Sequence, residues 1–439
     1  MRQIDTTTGI LHSFEQVRGG LPGSWLSGIR STAMEFFANT GFPTPRTEAW
    51  KYTNLKRLSS TKFDTSPTFL GGDNSEWAHL LIEGAHRIVI RNGIFDITSS
   101  SIVSPTGDQY IANFSSAVRD RRNGVTKHLT KIAPLQDAPL VALNTALMQD
   151  GLVLMLSEGV ALDHPVQVIH IMDCPEARLA VHPRTLVVAG ESSRATVVET
   201  FVGAPQSTYW TNAVTEIQVG RNASVTHCKC QSESGNAFHT ALTQIRLAQD
   251  ARYASVALAT GAVLSRNETR ASFEGKGADC ALSGGALLRK AQHADNTTQA
   301  DHKVSNTSSR QVFRNVLDEK SHSVFQGGVI VRPDAQKTDS SQSNRNLLLS
   351  LGARVDTKPE LQIFADDVKC AHGATVGDLD ENALHYLASR GIPPAQAKSL
   401  LIEAFVSEIL KDLKEDTVRM HVADEINRWM RLIATGAKT

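Results

Sequence analysis

From residue 76 to 370 the hydrophobic pattern is a series of short runs: LVLML, VQVIHIM, TLVVAG, ATVVETFVG, EIQVG, ASVTHCKC, TQIRLA and YASVALATG. Short runs rich in Val, Ile and Thr predict β-strands. Long amphipathic helices are hard to find there. Turns with small residues separate the runs and open near Gly190, Gly220, Ala248 and Gly275. Their spacings of 30, 28 and 27 residues make a loose period. Such a period fits stacked β rungs, each needing its neighbours to bury its apolar side chains. The same strands also fit a β-sandwich or jelly roll, and periodicity alone leaves both open.

The flanks carry a helical period instead. In residues 1–75, Trp25, Ile29, Ala33, Phe36 and Phe37 recur at three- and four-residue spacing after Ser24, a cap candidate. Gly41 and Pro43 stop that helix, and residues 59–75, rich in Ser, Thr, Pro and Gly, read as a linker. In residues 371–439, Asp380 can cap ENALHYLASR, which Gly391 ends, and Pro393 and Pro394 suit the start of the next helix. That next helix has a stripe of Leu401, Ala404, Phe405, Glu408 and Ile409. The last helix carries Val418, Val422, Ile426, Trp429 and Met430 on one side. These helices predict a small cap or docking surface.

Composition removes several functions. At 439 residues the chain is long for one domain, which agrees with three parts. Lys plus Arg and Asp plus Glu both number 45, so no surplus of cations is available for nucleic-acid phosphates. No run is long and apolar enough to span a membrane, and the first residues lack a signal-peptide layout, so the expected compartment is the cytoplasm. Five cysteines, few and odd in number, argue for free thiols. The P-loop, zincin, nucleophile-elbow and dinucleotide motifs are absent, as are paired C-x-x-C motifs.

Candidate chemistry is sparse. Cys228 and Cys230 share a strand face and read first as buried thiols, second as a soft-metal or redox pair. Cys370 and His372 lie where the β region meets the helical cap; spacing alone reads first as a buried thiol beside a hydrogen-bonded histidine, and second as a thiolate and imidazole that can bind iron or zinc. Trp50, Lys51 and Tyr52 read as an anchor for the linker, and Asp366 and Asp367 as a solvated turn. His182, His239 and His302 stand alone and read as structural.

The segment from Phe325 to Ile409 changes the picture. It contains QSNRNLLLS, KPELQIFADDVKCAHGATVGDLDENALHYLASRGI and AKSLLIEAF. This closely resembles the SufB/SufD family of iron–sulfur cluster assembly proteins. The upstream PTPRTEAWKYTNL, with Glu48, Trp50, Tyr52 and Thr53 in place, resembles the family's N-terminal motif. Gly373 follows His372 where SufB members carry a glutamate, so the likeness is to the SufD side.

The resemblance implies a mainly β fold: a right-handed parallel β-helix core with N-terminal and C-terminal α-helical parts. It implies a non-catalytic scaffold subunit that pairs with a SufB-like chain and binds a SufC-like ATPase through its C-terminal helices, with Leu401, Phe405 and Ile409 as the docking stripe. His372, with Cys370 as helper, would face the SufB cysteine and act as the metal ligand of the interface. No cofactor is expected to stay on the chain alone. An iron–sulfur cluster would form transiently in the complex, and a lone chain could pair with itself. The rival reading is a β-helix carbohydrate-active enzyme, although the β region shows no repeated acidic cluster for a sugar groove.

Overall fold

The computed structural model describes residues 6–65, 75–102, 108–136, 138–174 and 176–434. Two ten-stranded sheets form the body. The chain alternates between them, and each strand bonds in parallel to the equivalent strands of the rungs before and after. Ser224 thus faces Arg194 on one side and Arg252 on the other, and Phe238 of the second sheet faces Trp210 and Leu264. This is a parallel β-helix with two broad faces, so the sandwich alternative falls. Only the first turn departs from it: Ile94–Phe95 and Gln109–Asn113 pair antiparallel to their neighbours. Three short helices, Phe114–Arg119, Asn123–His128 and Pro139–Leu147, also interrupt the β region, which the sequence pattern does not predict.

The small residues of the loose period have a steric cause. A Cβ at Gly190 would lie 2.6 Å from the Leu156 carbonyl oxygen, and one at Gly220 would lie 2.7 Å from that of Ala189. Those same carbonyls accept from the Gly190 and Gly220 amides and bind rung to rung. Each turn closes when the amide three residues on donates back, as Ser193 does to Gly190 and Ala223 to Gly220. Ser192, Asn222 and Asp250 sit at the left-handed position of their turns, which short polar side chains tolerate.

Between the sheets lies an apolar column that includes Val168, Val197, Ile217, Val225, Ile245, Phe273 and Val329. The outer faces are covered by the flanking parts. The outer face of one sheet presents Val198, Cys228, Cys230, Val256 and Leu258 to Ile402, Val406, Val422, Ile426 and Trp429. The other meets the helix Ser27–Thr40 and Pro139–Leu147 through Trp210, Phe238 and Leu264. Thus the helical parts lie on opposite sides of the solenoid.

Several local expectations hold and others shift. Asp380 caps Glu381–Ser389 by accepting from the Asn382 and Ala383 amides, and the next helix runs Pro394–Val406. The final helix, Asp416–Ala434, buries all five predicted residues. Ser24 instead begins a 3-10 turn, Ser24–Leu26, and the α-helix starts at Ser27 without a side-chain cap. Residues 59–65 are not a free linker, because Asp64 exchanges backbone hydrogen bonds with Arg178 and Ala180. The rest of that linker, residues 66–74, lies outside the described residues.

Candidate functional site

The solenoid ends in two unfinished edges. Among the described residues, Lys369–Gly377 pairs only with Asp339–Leu348, and Arg354–Ile363 only with His322–Val331. Strand edges of this kind present unpaired donors and acceptors. Large apolar side chains surround them in solvent: Leu351, Ile363, Phe364 at 59% exposure and Val376 at 52%. Leu351 and Val376 lie at one end of this last rung and Ile363 and Phe364 at the other, so exposed apolar side chains flank both open edges. Pro359 is tolerated in the middle of its strand because that strand is an edge.

Cys370 and His372 lie on this terminal strand, two residues apart and so on one face. Parallel register stacks Cys280, Ser309, Ser340 and Cys370 into one column. Ser309 and Ser340 share a hydrogen bond of 2.8 Å, and Ser309 meets His302 Nε2 at 2.9 Å. Cys370 closes the column half-buried against the apolar core. Burial, then the Asp339 charge, pushes its thiol up, so little thiolate forms at neutral pH.

His372 ends the neighbouring column and is exposed. Beneath it Gln342 donates to Gln311 at 3.0 Å, and Gln311 accepts from Thr298 at 2.6 Å. The Gln342 Oε1 atom is buried without a partner among the described residues. A Cβ at Gly373 would meet nothing within 4 Å. The imidazole therefore stands in open space above a polar ladder, beside a half-buried thiol. Among the described residues no three His, Cys, Asp or Glu side chains gather as a metal site. Asp366 and Asp367 are exposed in the turn before the strand, where Asp367 pairs with Lys337.

The other candidates separate cleanly. Cys228 and Cys230 are sealed between sheet and C-terminal helices, and burial pushes both thiols up. Trp50 lies 4.1 Å from the Arg266 guanidinium, and Thr53 donates to Asp295 at 2.5 Å, so this segment anchors on the core. Lys51 is exposed beside the Tyr52 ring. Burial lowers His182 to about 3 and His302 to about 4, and lowers His239 beside Glu233.

The docking stripe needs correction. Ile409 is fully buried against the β-helix, whereas Leu401 and Phe405 are half-buried. The α-helix stops at Val406 and a 3-10 turn, Ser407–Leu410, follows, with Glu408 accepting from Arg314 at 2.7 Å. The buried side is consequently Ala397, Ile402 and Val406, and Ala404 faces solvent. Leu400 and Tyr386 add exposed apolar surface.

Sequence reasoning missed a polar network inside the solenoid. Glu199 accepts from Thr185, Thr215 and His227 at 2.8–3.0 Å. Burial would raise its pKa, but the His227 bond and the charges of His227, His170 and Lys229 hold it at about 2. Lys229 is lowered to about 8 by burial, against Glu199 and Glu233. The alternation His227, Lys229, Gln231 along one strand was the available signal. Arg184 and Glu216, an ion pair with no exposure, were missed as well.

Comparison with known proteins returns one family twice. The SUF system FeS cluster assembly SufBD core domain matches residues 170–405, and the SufBD protein N-terminal region matches residues 22–168. An iron–sulfur cluster assembly SufBD family protein of Synechocystis is 31% identical over 405 residues, covering 90% of this chain and 89% of the relative. The iron–sulfur cluster assembly protein SufD of Escherichia coli is 29% identical over 391 residues, covering 89% of each chain. SufD of Bacillus subtilis is 26% identical over 421 residues, covering 92% of this chain and 94% of the relative. Neither the family models nor these relatives support the carbohydrate-enzyme reading.

Proposed function

The chain belongs to the SufBD family of the SUF iron–sulfur cluster assembly system, close to SufD, and from that premise we propose that it is the SufD-type subunit of a cytoplasmic scaffold. In this reading it performs no catalysis alone. A SufB-like subunit joins the open end of the β-helix, and a SufC-like ATPase docks on the C-terminal helices. The cluster is cargo, built at the joint and passed on.

The observation that carries the reading is His372 on an exposed, unfinished edge strand. An edge strand accepts a strand from another chain, and its backbone bonds would set the register of the joint. A neutral imidazole is a good iron ligand, and the space beside Gly373 leaves room for a thiolate from the partner. Cys370, half-buried with its thiol pushed up, acts as a helper. Leu401, Phe405, Leu400 and Tyr386 offer the ATPase an apolar patch, while Ile409 holds the helices to the solenoid.

The test is the iron and sulfide content of the complex purified with SufB-like and SufC-like subunits. His372→Ala is expected to keep folding and complex formation and lose cluster assembly, with Cys370→Ala milder. Full cluster loading in His372→Ala would refute the role.

A further inference from the structure

Two imidazoles from adjacent rungs converge on the sheet opposite His372. His293 and His322 are register partners at the starts of their strands. Their Nδ1 atoms lie 3.1 Å apart, with the rings at 71° to each other. Their outer nitrogens are both engaged. The Nε2 of His322 lies 2.7 Å from the Asp356 carboxylate, which can only accept, so this nitrogen carries the proton. Arg354 donates to both oxygens of Asp356. The Nε2 of His293 lies 2.9 Å from the Thr53 hydroxyl. That hydroxyl spends its single proton on Asp295, at 2.5 Å, and so accepts from His293. Asp295 is fixed in turn by Arg266.

A neutral imidazole has one N–H. With both protons on Nε2, both Nδ1 lone pairs face the same small gap. Two lone pairs at 3.1 Å repel unless something positive lies between them. Zinc–nitrogen bonds of about 2.0–2.1 Å place two ligands of a tetrahedron roughly 3.3 Å apart. Histidines that bind metals typically donate the other N–H to a carboxylate or another acceptor, which fixes the tautomer. Both rings here have that arrangement.

We propose that His293 and His322 bind a first-row divalent transition metal through Nδ1, with Asp356 and the Thr53–Asp295 pair orienting the rings. Two protein ligands leave the remaining positions to water, so the ion exchanges readily. His322, with 24% of its side chain exposed, provides the approach. Bound there, the ion ties two rungs together and, through Thr53, steadies a segment 240 residues away in sequence. Cu²⁺ should bind more tightly than Zn²⁺.

The full-length chain titrated with Zn²⁺ by calorimetry tests the site. Wild-type protein should bind one equivalent that His322→Gln lacks, and Zn²⁺ should raise the melting temperature of the wild type alone. Asp356→Asn keeps both ligands and should weaken that equivalent 10- to 100-fold, a range typical of lost orienting partners. His372→Ala should retain it, which separates this site from the cluster role. Equal Zn²⁺ affinity and stoichiometry in wild type and His322→Gln would overturn the proposal. So would unchanged binding in Asp356→Asn, which decides the matter even if the histidine variant fails to fold. An imidazole–imidazolium pair seen by NMR in the presence of excess Zn²⁺ would assign the gap to a shared proton and also refute it.

Discussion

Burying a neutral imidazole makes a protein sensitive to acid. His302 stacks on Phe273 at 4.0 Å between ring centres and bonds Thr307 at 2.7 Å and Ser309 at 2.9 Å. Burial lowers its pKa to about 4. Unfolded, the ring takes up a proton near about 6.5. The unfolded chain therefore binds more protons between those values, and stability falls as pH drops from about 6.5 to about 4. His170, at about 4, and His182, at about 3, act in the same direction. Melting temperature should be flat with respect to these groups above pH 7 and fall through that window. His302→Asn should melt lower at pH 8 and with a shallower acid slope, and an unchanged slope would disprove this account of the ring. At this scale the sequence was partly legible. Lone histidines are mostly structural, and His302 is. Spacing along the chain does not show that His293 and His322 meet, because partners 29 residues apart become neighbours only once the rungs are in register.

Helices were legible where a long apolar period ran without interruption. The last helix is amphipathic over its whole length, so its buried residues follow from spacing. The helix before it was misjudged by one position, because Glu408 turns to Arg314 and the coil tightens after Val406. No window of hydrophobicity contains that ion pair. The outward surface of these helices is where the proposed ATPase interaction should be probed. Glu403 and Arg390 are exposed, and Arg390 sits over the Tyr386 ring at 5.3 Å. Glu403→Lys with Arg390→Glu should abolish co-purification of the ATPase subunit while changing stability by no more than ~0.5 kcal/mol, as exposed substitutions do. Retained binding with normal melting would move the docking surface elsewhere.

For the whole molecule, the solenoid was visible in the sequence as a loose period, and the steric demand at Gly190 and Gly220 explains why the period survives at all. Its two-sheet cross-section was not visible, since alternation within a strand does not say which sheet comes next. The three short helices before Gly151 escaped notice because each is nine residues or fewer. The unfinished end has a consequence for the chain expressed alone. Its free edges, with the exposed Leu351, Ile363, Phe364 and Val376 flanking them, should pair with a second copy. Light scattering should give twice the chain mass, and Val376→Lys with Phe364→Glu should give the monomer. A wild-type monomer at micromolar concentration would refute self-pairing.

The anchored segment around Thr53 also orders events in time. Residues 48–53 leave the ribosome early, yet Glu48 is held by Lys358, Thr53 by Asp295, and the Ala49 carbonyl by Gln326. At about 5–20 residues per second, roughly 15–60 s of synthesis separates this segment from the last of its partners. For the first part of that interval Trp50 has no Arg266 guanidinium to rest against, because the rung carrying it is not yet built. The segment is thus fastened only long after it is made, and its docking reports that the distant rungs are complete.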